Sequence, residues 1–307
     1  MGELKAEDGT PVLRRTGGVL LGARADLERL QNAIPEATAE SRALANDARL
    51  VGGDALRARW PWLGASADDG ALVTDGCGVV DIHALLSTGL RALGKNVVLK
   101  ASLDAVLTDA RGAMAGVVVD GERIATPRLV NAAGFRANQV AAMAGAKPFP
   151  FNPVRRHLFT TAPNDTITRD APWFWDIGRG WYLRPEGAGL LLCACDATPW
   201  PDDAPDDPPR DPAAREWAAA RFTASLPALS NLRIHRDWAG LRILTPDQAF
   251  VIGPDPEVGG FFWVAGLGGH GMTTACGVGE LAADLVLGRE VPALFRDAFD
   301  PGRLRGA

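Results

Sequence analysis

"FFWVAGLGGHGMTTACGVGELAADLV", residues 261–286, spells G-x-G-x-x-G at Gly266, Gly268 and Gly271. An apolar, aromatic run precedes the glycines and a helix-like run of small residues follows. That is the order of a dinucleotide-binding strand–turn–helix. Such a unit needs a second parallel strand after its helix, ending in an acid about 20 residues on. Beyond the helical run 272–287, the remaining "GREVPALFRDAFDPGRLRGA" (288–307) holds no apolar stretch able to form a central strand. The motif therefore does not open a βαβ unit. Its local physics is unaffected: glycines admit close backbone approach, and a helix start presents unpaired N–H groups. Such an end suits a phosphate or a negatively charged ring carbonyl; alternatively, the glycines only pack a helix close to a strand.

The rest of the chain sets the context. Its 307 residues are 47% hydrophobic and 22% charged, which fits a soluble protein of two domains or one elaborate one. A formal charge of −5 excludes the basic excess of a nucleic-acid binder. Of the 32 basic residues only Lys5, Lys95, Lys100 and Lys147 are lysine, a bias ascribed to the genome. Cys77, Cys193, Cys195 and Cys276 form no C-x-x-C and no pairing with histidine at ligand spacing. No metal site is expected, and the cysteines read as small buried residues in a reducing compartment. The N-terminus lacks the apolar core of a secretory leader, and no window reaches the roughly eighteen apolar residues of a spanning helix. A cytoplasmic location is expected.

"VLRRTGGVLLGA" reads as a strand entered through a Gly-Gly turn, and "RADLERLQNAIPEATAESRALAND" as helix broken near Pro35. "GGDALRARWPWL" reads as a short helix leading into a turn. "GALVTDGCGVVDIHALLSTGLRAL" reads as strand, turn and a helix capped by Asp81. Short β-runs follow, one joined by the Asp-Gly of "VDGER", a tight hairpin signal. "RLVNAAG" is a strand, and "FRANQVAAMAG" a helix. From Lys147 the texture becomes runs rich in Trp and Phe that alternate with turns, as in an antiparallel sheet. "PWPDDAPDDPPRDP" (199–212) is an acidic surface loop, and "AAREWAAARFTASLPAL" a helix. The order is mixed α/β, antiparallel β, then mixed α/β. This predicts a discontinuous α/β (mixed α+β) fold with a β-sheet domain inserted in a nucleotide-type one.

"TPDQAFVIGPDPEVGGFFWVAGLGGHGMTTACGVGELAADLVLG" (245–288) resembles the closing segment of the D-amino-acid oxidase-like flavoenzymes. "ATPRLVNAAG" (125–134) is similar to that family's strand-plus-NAAG segment. "NPVRRHLF", "GWYLRPEGAGLLL" and "RDWAGLRILTPDQAF" resemble bacterial D-arginine dehydrogenases and their relatives. The resemblance implies FAD as cofactor and an amino acid as substrate. Residues 72–146 plus 243–307 would form the FAD-binding domain, and 1–71 plus 147–242 the substrate domain. It places Gly268, Gly269, His270, Gly271, Met272 and Thr273 along the flavin ring edge, with Ala132, Ala133 and Gly134 along the cofactor and Leu103 near the adenosine. The substrate carboxylate would be held by Arg242, Arg156 and Tyr182. These residue types suit that task, since guanidinium forks match carboxylates and a phenol adds an uncharged donor. Tyr182 is the only tyrosine. The role of His270 stays open between touching flavin or substrate and capping its loop.

The resemblance further implies hydride transfer from the substrate α-carbon to flavin N5, giving an imino acid that hydrolyses to a keto acid and ammonia. Two departures from the family pattern matter. The family's first strand, its G-x-G-x-x-G and a strand ending in glutamate have no counterpart here. About seventy residues are missing by that analogy, so a truncated flavin domain is expected. An oligomer or partner chain would then cover its exposed sheet. Where the D-arginine enzymes carry an acid for the guanidinium, the matching position is about Gly18, so arginine itself is not the expected substrate. The alternative is a flavin-free remnant or partner subunit with a binding or structural role.

Overall fold

The computed structural model describes residues 4–33 and 47–305; the helical reading around Pro35 lies outside them. The chain opens with β1 (Leu13–Arg14), β2 (Gly18–Leu21), α1 (Arg24–Ala33), β3 (Arg49–Val51), α2 (Gly53–Arg59) and β4 (Ala71–Thr74). Next come β5 (Val79–Val80), α3 (Ile82–Leu93), β6 (Leu103–Thr108), β7 (Met114–Val119), β8 (Glu122–Ala125), β9 (Leu129–Asn131) and α4 (Ala137–Met143). The sheet-rich part holds β10 (Asn152–Thr161), β11 (Trp173–Asp176), β12 (Trp181–Glu186), β13 (Gly189–Cys193) and β14 (Thr198–Pro199). It is followed by α5 (Pro212–Ser225), β15 (Ile234–Leu244), β16 (Val251–Pro254), β17 (Phe261–Ala265), α6 (Gly271–Leu287) and α7 (Ala293–Phe299). Contacts group these into two units, Met1–Thr88, Arg156–Ala197 and Pro209–Gly240 in one, Gly89–Arg155, Thr198–Pro208 and Leu241–Ala307 in the other.

In the first unit a sheet runs in the order β10-β13-β12-β11-β2-β4-β3. The strands from Lys147 onward pair antiparallel, as their alternation suggested, while β2 joins them from the N-terminal part in parallel with β11, Trp173 opposite Gly18 and Asp176 opposite Leu21. Alternation specifies which residues share a face, not which strand lies alongside. One face is buried. Val19, Leu21, Val73, Phe174, Leu183 and Leu192 pack there with Trp60, Trp62 and Phe222. Phe174 meets the edges of Trp60 and Trp62 at centroid distances of 5.1 and 4.7 Å. Each such side chain contributes roughly 1.5–3 kcal/mol by leaving water, so this face organises the unit. Helix α5, which supplies Phe222, starts at Asp211, whose carboxylate accepts the Ala213 N–H at 2.9 Å.

The second unit has a sheet β16-β17-β9 and a meander β6-β7-β8. β17 pairs β9 in parallel and β16 antiparallel. The "VDGER" signal is realised as a two-residue hairpin between Val119 and Glu122, with Asp120 and Gly121 at φ 49° and 79°. Phe149, Phe261, Trp263, Val251, Ala137 and Ala141 form the core. A buried carboxylate, Asp255, ties this unit together. It accepts the Trp263 indole N–H at 2.9 Å, the Arg305 guanidinium at 3.0 Å, and the backbone N–H groups of Glu257 and Val258. After α6 the described residues hold only α7 and a short turn of helix (Pro301–Leu304), so no second strand follows the glycines.

Asp81 caps α3 as its position predicts, accepting the Ala84 N–H at 2.9 Å. That helix buries only Ala84 and leaves Ile82, Leu86, Leu90 and Leu93 exposed. The cysteines are all free, but only Cys193 is buried and Cys276 is exposed, which corrects the reading of all four as buried. Position 276 lies on α6, whose only buried residue is Val278. Among the described residues no helix is long and apolar enough to cross a membrane.

Candidate active site

In the second unit the glycine stretch becomes a tight turn from β17 into α6, with Gly266, Gly268 and Gly269 all at positive φ. His270 occupies the N-cap position, but its side chain makes no capping bond. Its carbonyl does the work, accepting the hydroxyls of Thr273 and Thr274 at 2.9 and 2.8 Å. The imidazole sits 6.3 Å from the Phe250 ring. The N–H groups of Gly271, Met272 and Thr273 start the helix and have no protein acceptor among the described residues. Together with the dipole of a 17-residue helix they form a donor cluster for an anion or an electron-rich carbonyl.

Arg242, near the end of β15, lies against this turn. A Cβ added at Gly269 would stand 2.5 Å from the Arg242 Nε and 2.7 Å from its Cζ. Glycine at 269, at φ 91°, is therefore favoured twice, by the backbone and by the guanidinium. No acid pairs with Arg242 among the described ion pairs. Elsewhere in this unit Ala132 and Ala133 form an exposed link after β9, and Gly134 opens a short 3-10 turn. Asn131 holds the link, its side chain donating to the Ala137 carbonyl at 2.8 Å and accepting the Ala133 N–H at 3.3 Å. Leu103 begins β6, opposite Val119, and packs on the second unit's core.

Arg156 and Tyr182 belong to the first unit. They share the sheet face opposite the core, because Tyr182 pairs with Cys193 and Thr160 with Leu191, while Phe159, Leu183 and Leu192 point to the core. No acid pairs with Arg156 among the described residues, and its Nε is buried with no hydrogen-bond partner. Cys193, which sequence reasoning did not single out, sits among these groups. The Cys195 N–H reaches its sulfur at 3.3 Å. Its thiol is pulled down to about 7, chiefly by a hydrogen bond from Cys195, and further by the Arg156 charge and the Tyr182 hydroxyl. The only signal in sequence was its alternation with Cys195 at the end of an apolar run. Neighbouring His157 points to the other face, with Nδ1 2.7 Å from Asp196 and Nε2 accepting the Asp211 N–H at 3.1 Å. No group of His, Cys, Asp or Glu among the described residues could hold a metal ion.

In the first unit an arginine without an acid partner shares a face with a phenol, a pair that can receive a carboxylate; in the second, a bare turn with free N–H groups can receive an electron-rich ring. A family model for FAD-dependent oxidoreductases matches residues 1–285. The chain belongs to this family, DAO. Two of its curated relatives show the extent of the likeness. The bovine (Bos taurus) FAD-dependent oxidoreductase domain-containing protein 1 is 30% identical over 172 residues, 52% of this chain and 35% of that protein. D-amino acid dehydrogenase of Methylobacterium radiotolerans is 40% identical over 89 residues, 29% of this chain and 21% of that protein. The chain thus spans about a third or less of the length of these curated relatives. The fold matches L-proline dehydrogenase from P. horikoshii with a TM-score of 0.82 at 23% identity, covering 96% of this chain and 78% of that one. The family's cofactor is FAD, and the unpartnered N–H groups at the start of α6, beside a glycine where a Cβ would displace Arg242, fit it.

Proposed function

We propose that the chain serves the FAD-dependent oxidation of an amino acid other than arginine. FAD supplies the two-electron acceptor; the imino acid formed hydrolyses to a keto acid and ammonia. Gly268, Gly269, His270, Gly271, Met272 and Thr273 would line the flavin ring, and the N–H groups of Gly271, Met272 and Thr273 would favour negative charge that develops on it. Ala132, Ala133 and Gly134 lie along the cofactor, and Leu103 near its adenosine end. Arg156, Tyr182 and Arg242 hold and orient the substrate carboxylate. The observation that carries this reading is that Arg156 and Arg242, both half-buried, lack a carboxylate partner among the described residues while a phenol shares the face of Arg156. A half-buried guanidinium is costly to leave unpaired unless a ligand completes it. The exposed leucines of α3 are covered by a second chain in this reading.

The test is retention of FAD by the purified full chain after gel filtration, read by visible flavin absorption, followed by anaerobic bleaching with a panel of amino acids. Retained flavin that at least one neutral amino acid bleaches is the expected result. A colourless protein that ignores added FAD would instead support the flavin-free binding or structural role.

A further inference from the structure

The open face of the first unit's sheet carries more than a carboxylate clamp. Register places Leu50 opposite Leu72, Leu72 opposite Leu20, Leu20 opposite Trp175, Trp175 opposite Tyr182 and Tyr182 opposite Cys193. Partners across a ladder project to the same side, so these six residues form one row across the sheet. None belongs to the core on the opposite face. Trp175 is 37% exposed and packs its edge toward Tyr182 at 6.3 Å. The neighbouring row begins with Gly18 opposite Trp173. A Cβ at Gly18 would stand 2.2 Å from the Trp173 Cζ2 and 2.4 Å from its Cε2. The indole therefore lies over position 18 and fills the space in which a side chain from β2 would stand. The first row contains no carboxylate; its one acidic group, the Cys193 thiol, is buried beside the Arg156 charge, and Glu186, on the same face of β12, is already paired with Arg184.

We infer that this row receives the side chain of the amino-acid substrate and selects branched aliphatic or aromatic ones, with Trp173 and Trp175 as specificity-determining residues. The inference rests on the reading of Arg156 and Tyr182 as the carboxylate site. That end anchors the molecule, and the apolar row begins at Tyr182 itself. A branched or aromatic chain exchanges water for Trp175 and the half-buried Leu20 with nothing polar left unmet. A guanidinium or ammonium chain gains only an indole face and forfeits its hydration without an acid to pair with.

Carboxylates that lack an α-amine separate binding from turnover. The full chain is titrated by calorimetry with propanoate, isovalerate, hydrocinnamate and guanidinopropanoate. Isovalerate and hydrocinnamate are expected to bind about three- and tenfold or more tighter than propanoate, as burial of added methyl or ring surface requires. Guanidinopropanoate should not exceed propanoate by more than about twofold. Trp175→Ala should bring all four within about threefold of one another; Trp173→Leu, judged folded by circular dichroism, should do so in part. Tightest binding by guanidinopropanoate, or an unchanged ranking in both tryptophan variants, overturns the inference while leaving the carboxylate site intact. Loss of the carboxylate reading looks different: no ligand binds, or Arg156→Met binds all four as the parent does, and the inference falls with it.

Discussion

Replacing Gly269 with alanine tests the Arg242 assignment without dismantling the fold. The new methyl group would lie 2.5–2.8 Å from the Arg242 Nε, Cζ and Cδ, closer than any real contact. What it meets is the flexible part of one side chain, so the guanidinium swings away and the backbone stays. A positive φ adds about 1–2 kcal/mol for an alanine, which lowers Tm by a few degrees at roughly 2–4 °C per kcal/mol. A displaced guanidinium forfeits a charge-assisted hydrogen bond to carboxylate worth about 1.5–3 kcal/mol, or about ten- to a hundredfold. Gly288→Ala is the control. Gly288, at the end of α6, is also at positive φ (69°), but a Cβ added there would meet nothing within 4 Å. Both variants should lose similar stability by thermal melting, and only Gly269→Ala should show a KM raised at least about tenfold on the FAD-loaded protein. Equal KM values for the two variants would refute the placement of Arg242 at the substrate carboxylate.

Tyr182→Phe removes one uncharged donor, and a KM increase of about three- to tenfold is expected from a bond worth roughly 0.5–1.5 kcal/mol; an unchanged KM removes Tyr182 from the site. The Cys193 thiol, lowered to about 7 by Cys195, Arg156 and Tyr182, is neutral below that pH and anionic above it. Carboxylate affinity should therefore fall as pH rises through about 7, and Cys193→Ser should flatten the profile; a parent profile already flat there removes the thiolate as competitor for Arg156. Burial alone would raise the Asp255 carboxyl, yet the hydrogen bonds from Trp263, Glu257 and Val258, together with Arg305, hold it below its ordinary range. Its stabilising contribution is full above the unfolded carboxylate value of about 3.9 and is lost as pH falls through the lower folded one. Asp255→Asn should cost about 3–5 kcal/mol at neutral pH, measured by urea unfolding, and a loss below about 1 kcal/mol would dismiss Asp255 as an organising centre.

Local chemistry was legible in the sequence, and long-range pairing was not. Asp81 caps its helix, Asp120–Gly121 makes its hairpin, and the glycine stretch ends a strand with no further strand among the described residues after it. Each depends on residues within a few positions of one another. The parallel alignment of β11 with β2 joins segments about 150 residues apart, and nothing in an alternating pattern names the partner strand. The same holds for the site. The resemblance pointed to Arg156, Tyr182 and Arg242 by residue type. Placing Cys193 under Tyr182, and the Trp173 indole over Gly18, required the register of three strand pairs. Gly18 reads in sequence as a missing acid, and in space as room for a ring.

His157 follows Arg156 in sequence, but its ring is committed at both nitrogens. With Nε2 accepting a backbone proton, Nδ1 must carry its own proton toward Asp196. Neither ring nitrogen of this histidine is left to take a proton from an amine held at the proposed clamp. That leaves Tyr182 and Cys193, which share the face of Arg156, as the groups next to such an amine.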